Sequence, residues 1–198
     1  MAAGPRVLVI GCGAIARELL EVARINHLDH LEIECLPAIL HNRPHEIPAA
    51  VEERILRAAG RYDEVFVAYA DCGTGGLLDV VLERHGVQRL PGAHCYEFFA
   101  GTEAFAALHE AAPGTFYLTD YLTRHFQRLV WEGLGLDRAP QLRDTYFKSY
   151  TRVVYLSQTD DPILVERARE AADRLGLDFE HRPTGLGLLT PALVSIRP

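Results

Sequence analysis

Four consecutive apolar residues, Val7–Ile10, form the first hydrophobic run of the chain, and Gly11 closes it. A run this short between turn signals predicts a fully buried strand. From Ala14 to Ile25, Ile15, Leu19, Leu20, Val22 and Ala23 recur at helical spacing. Arg17, Glu18, Glu21 and Arg24 fill the opposite face, so an amphipathic helix is predicted. Leu31–Leu36 alternates and predicts a second strand. Pro44 opens a helix that runs to about Ala59, with acids early and arginines late, as the helix dipole favours. Glu64–Ala70 predicts a buried strand, Gly75–His85 a helix stopped by Gly86, and Gln88–Leu90 a short fourth strand.

Past residue 100 the alternation continues more loosely. Helices are predicted over Thr102–Ala112, Tyr121–Gly133 and Asp161–Leu175, the last with Pro162 in its first turn. Strands are predicted over Thr115–Leu118, Arg152–Ser157 and Leu177–His181, and a flexible turn at Gly185-Leu-Gly187. Strand–helix alternation predicts an α/β fold with a mainly parallel, Rossmann-like sheet and helices on both faces. The chain, 1–198, reads as one α/β domain, with a soft boundary near residues 100–114 that would divide two small lobes.

Composition narrows the function. With 20 basic and 27 acidic residues the net charge is −7. No basic stripe is present, which argues against nucleic acid as a partner. No apolar run reaches the roughly 18 residues of a membrane span, and the start of the chain lacks the pattern of a signal peptide. A cytoplasmic location is expected. There the four cysteines stay reduced, and are free, metal-bound or catalytic.

Those cysteines, Cys12, Cys35, Cys72 and Cys95, each stand where a predicted strand gives way to a loop. In an open parallel sheet the carboxyl ends of the strands share one edge, where ligands bind. His41 and His94 accompany them. Thiolate with imidazole is ligand chemistry for zinc and for iron–sulfur clusters. The expected site is Cys12, Cys72 and Cys95, completed by His41 or His94, with Cys35 in reserve. His94 would move protons, oriented by Glu97, and Asp71 would position substrate. In Asp71-Cys72-Gly73-Thr74-Gly75-Gly76, free backbone amides would favour a thiolate or bind an anion at Gly73 and Gly75.

A competing pattern is Gly11-Cys-Gly13-Ala-Ile-Ala16, which fits the dinucleotide fingerprint after a strand and before a helix. Glu34, at the end of the second strand, would bind the ribose. On these residues the chain reads instead as an NAD(P)-dependent oxidoreductase. Lys148 is the only lysine, which leaves little basis for Schiff-base chemistry. The motifs C-x-x-C, G-x-S-x-G and H-E-x-x-H are absent.

Gly11-Cys12-Gly13, Leu40-His41-x-x-Pro44, Tyr69-x-x-Cys72-x-x-Gly75, Pro91-x-Ala93-His94-Cys95 and Pro113-Gly-Thr-Phe-Tyr117 together resemble the family called domain of unknown function 1638. The resemblance runs through most of residues 7–160. It matches Cys12, His41, Pro44, Tyr69, Cys72, Pro91, Ala93 and His94 to family positions. Ala70 and Gly92 depart from it, Cys95 follows His94 with no residue between, and Cys35 has no counterpart. Genes of this family often neighbour corrinoid-dependent methyltransferases. The resemblance therefore implies one-carbon or methyl-group metabolism, with a small-molecule substrate and a corrinoid protein as partner. The combined expectation is a metal-dependent transferase or lyase, with Zn2+ favoured and a [4Fe–4S] cluster as the alternative. A non-enzymatic accessory protein for metal or corrinoid is the third reading, and an oligomer fits any of them.

Overall fold

A computed structural model describes residues 5–196. The strands are β1 (Val7–Cys12), β2 (Leu31–Leu36), β3 (Glu64–Ala68), β4 (Gln88–Arg89), β5 (Thr115–Leu118), β6 (Arg152–Ser157) and β7 (Asp178–Pro183). They form two sheets, one ordered β2-β1-β3-β4 and the other β5-β6-β7. Every pairing is parallel. The fold is α/β, as the alternation predicts. The chain divides into two units, one of residues 1–98 with 186–198, the other of residues 99–185. Among the described residues no helix is long and apolar enough to cross a membrane.

In the first unit β1 is the inner strand, and Val7 to Ile10 are each at most 2% exposed. A strand covered on both faces needs continuous apolar sequence, which is why the run Val-Leu-Val-Ile reads so clearly. Helices α1 (Ala16–Ile25), α2 (Ile47–Ala58), α3 (Leu77–His85) and α4 (Cys95–Ala100) follow the four strands in turn. α2 packs on α3. The last helices in the chain are α5 (Thr102–Ala111), α6 (Asp120–Arg124), α7 (Leu142–Tyr146), α8 (Pro162–Leu175) and α9 (Leu189–Val194). α9 returns to the first unit, packs on α1, and buries Leu189 and Leu193 fully.

In the second unit β6 is the inner strand, with Val153 to Leu156 fully buried. Leu118, Phe126, Val130, Phe147 and the inner face of α8 close its core. α8 carries its boundaries in its sequence. The Asp161 side chain accepts from the Ile163 amide, Pro162 sits in the first turn, and Gly176 ends the helix at φ +72°.

The structure redraws three expected segments. The helix expected from Pro44 begins as a 3-10 turn over Pro44–Glu46. The helix expected over Tyr121–Gly133 is α6 followed by a separate π-helical turn, Gln127–Glu132. The loop expected after the fourth strand gives way to α4 at Cys95; the turn expected at Gly185–Gly187 is present and leads into α9.

Candidate functional site

The order β2-β1-β3-β4 has its switch point between β1 and β3, because the chain leaves β1 on one side and returns on the other. Ligands of open α/β sheets bind beyond the carboxyl ends of the strands at such a point. Cys12 is the last residue of β1, and Tyr69 to Cys72 follow β3. His41 lies in a 3-10 turn, Ala38–Asn42, after β2, and Cys95 is the first residue of α4, after β4. Cys12, His41, Tyr69, Cys72 and Cys95 line one void, walled otherwise by apolar groups such as Ile15 and Phe98. Its volume is about 10 Å³, room for a single water-sized occupant.

Each sulfur in this wall meets backbone donors. Cys12 is buried, accepts from the Ala14 amide at 3.3 Å, and lies 3.4 Å from His41 Nδ1. Burial pushes its thiol up to about 12, against the pull of the Ala14 amide. Burial likewise pushes Cys72 up to about 11, opposed by a hydrogen bond from the Ala70 backbone and by the Arg89 charge. Cys95 is raised by burial and by the neighbouring thiols, with the amides of Tyr96 and of Cys95 itself acting the other way. Burial of its ring lowers the pKa of His41 and so favours the neutral form, against the opposing effect of a hydrogen bond with the Ala38 backbone. Neutral imidazole is the ligating form.

Cys72 has φ +51°, a left-handed conformation uncommon outside glycine. Two backbone bonds hold it there: Asp71 N–H donates to Gly92 at 3.0 Å, and Cys72 N–H to Ala93 at 2.9 Å. They tie the loop after β3 to the loop after β4 and bring Cys72 to the same void as Cys95. Arg89 steadies the second loop by donating to the carbonyls of Leu90 and Gly92, while its fork pairs with Asp79. Tyr69 is 1% exposed, and its hydroxyl has no hydrogen-bond partner at normal geometry. A loose hydrogen bond to the Cys12 side chain lowers the thiol's pKa and raises the phenol's.

Other expected residues have other places. Cys35 is in register with Gly11, and its sulfur lies on the face where Leu19 of α1 packs. Side chains alternate along a strand, so it lines no part of the void. His94 is exposed, and its carbonyl accepts from the Glu97 amide. Glu97 does not orient His94; its carboxylate accepts from the Ala93 amide. Asp71 holds its own loop, accepting from Thr74 Oγ1 and from the amides of Gly73, Gly75 and Gly76. The amides expected to cradle an anion therefore already serve a carboxylate of the chain. Burial works against that carboxylate's charge, but these four donors outweigh it and lower its pKa.

The dinucleotide pattern finds similar local explanations. A Cβ on Gly11 would sit 2.4 Å from Leu19 Cδ1, and one on Gly13 would sit 2.8 Å from the Leu36 carbonyl. The close approach that these glycines allow is made by the chain itself. Glu34 pairs with Arg54 of α2. Two open hollows, of about 520 and 550 Å³, lie near the amino ends of the strands, away from the thiols.

A family model described as Protein of unknown function (DUF1638) matches residues 35–193. The chain belongs to this family. The DUF1638 match takes in His41, Tyr69, Cys72 and Cys95 and continues through the second unit, whereas Cys12 and the rest of β1 precede it. No curated protein and no solved structure matches the chain.

Among the described residues no three His, Cys, Asp or Glu side chains are set to hold a metal ion as they stand. In chemistry the wall of the void still fits a soft metal. It holds three thiols with amide donors, one neutral imidazole, and no carboxylate. Sequence reasoning picked out Cys12, Cys72, Cys95 and His41. It gave Tyr69 no role, although a tyrosine within the apolar run Val-Phe-Val-Ala-Tyr-Ala is a signal, since its buried hydroxyl needs a partner.

Proposed function

We propose that this protein binds one soft divalent metal ion, zinc, through Cys12, Cys72 and Cys95, with His41 as the fourth donor. The observation that carries the proposal is that these four groups line one atom-sized void at the switch point of the sheet. A void of about 10 Å³ suits a mononuclear ion better than a [4Fe–4S] cluster. Loading would draw the donors inward and expel the thiol protons.

When bound, such an ion supplies Lewis acidity and activates a soft nucleophile. The chain's own residues supply the imidazole and the amide-solvated sulfurs. A one-carbon or methyl-group reaction, with a corrinoid protein as partner, enters the proposal from the family resemblance alone. The donor count favours a second reading, an accessory protein that holds or delivers the metal, because four protein donors leave no open position for substrate.

Elemental analysis with a visible spectrum, on anaerobically purified protein, tests the proposal. The expected result is about one zinc per chain, lost in the Cys72→Ser variant, with cobalt(II) giving thiolate charge-transfer bands. Folded wild-type protein that takes up neither zinc nor cobalt would overturn it. Prompt loss of zinc to a competing chelator would support delivery, and retention would support a fixed site.

A further inference from the structure

The Tyr69 hydroxyl is buried in the wall of the void, where the Cys12 sulfur is its partner but no well-formed hydrogen bond is made. Its backbone follows directly on β3, so the ring is fixed and the hydroxyl cannot swing to solvent. Buried hydroxyls almost always find a partner, and those that do not destabilise the fold. A neutral thiol is a weak acceptor, whereas a metal-bound thiolate is a strong one.

We infer that Tyr69 is a positioning residue of the metal site: its phenolic O–H donates to the Cys12 sulfur once that sulfur is a metal-bound thiolate. The inference rests on the metal reading above. It gives the ring a dual effect. The poorly paired hydroxyl weakens the metal-free fold, and the same hydroxyl strengthens the loaded site. Metal loading and satisfaction of this group are then one event. A residue that serves only to pack would not show opposite signs in the two states.

Tyr69→Phe keeps the ring and removes only the donor. The expected result is zinc and cobalt(II) affinity lower by roughly 10- to 100-fold, the range for loss of an outer hydrogen-bond partner. The cobalt–thiolate band should shift, because one sulfur has lost a proton donor. Metal-free Tyr69→Phe protein should unfold at the same temperature as wild type or a higher one. Equal affinity and an unchanged cobalt spectrum, with the wild type binding normally, would overturn the Tyr69 role and leave the metal site standing. A metal-free variant that unfolds at a lower temperature would also overturn it, by showing that the hydroxyl is already paired. Wild-type protein that binds neither metal would overturn both.

Discussion

At the scale of single residues, the buried thiols fix how the protein responds to pH. Cys72 and Cys12 have an ordinary pKa of 9.0, raised in the fold to about 11 and about 12. The fold thus favours the neutral thiols. Their contribution to stability is complete below pH 9 and is lost as pH rises through the folded values. Each thiol contributes a slope of about 1.4 kcal/mol per pH unit within its window. Reduced, metal-free protein should therefore melt at steadily lower temperature between about pH 9 and 11, and Cys72→Ala should flatten that fall. Thermal melts across this range check it, and a profile that stays level to pH 11 would show the thiols to be solvated. The sequence reveals Cys12, Cys72 and Cys95 as a group because each stands at or just beyond the carboxyl end of a strand of one parallel sheet. It does not separate Cys35 from them, because Cys35 stands one residue short of the end of β2 and one step along a strand decides the face.

At the scale of elements, the loop between β3 and α3 is organised by the Asp71 carboxylate. Its four bonds draw Gly73, Gly75 and Gly76 into the left-handed turns that start α3. Asp71→Ala should cost about 1–3 kcal/mol and loosen residues 72–77, visible as faster amide exchange there. Because the Asp71 pKa is lowered from 3.8, its contribution is present above that value and is lost as pH falls through the folded one. Asp71→Asn should blunt acid unfolding, and identical acid profiles for the two proteins would contradict this. Long periodic elements such as α1 and α8 are legible from their patterns alone. The short helices α4 and α9 are not, since six residues span less than two turns and leave no period to count. The glycines of the first loop resemble a nucleotide cradle because the signal reports only close approach. It does not say whether a ligand or the chain makes that approach.

At the scale of the whole molecule, the unit that carries the void is assembled from both ends of the chain. α9 packs on α1, and the His30 ring lies 3.2 Å from the Ile196 carbonyl. A chain ending at Gly185 should lose protection from exchange throughout β1 and α1 while residues 99–185 keep theirs. Equal loss in both units would show that they unfold as one. The alternation of strands and helices shows an α/β fold in both halves. It cannot show which half the last helix joins, because packing partners distant in sequence leave no periodic trace.

This interleaving also sets an order of events during synthesis. The second unit is continuous and is complete once Gly185 has emerged, whereas the first waits for α9. At about 5–20 residues per second, the thiols spend roughly 5–20 seconds between the emergence of Cys95 and the arrival of the final helix. During that interval the nascent chain offers its sulfurs to the cell before its own fold encloses them.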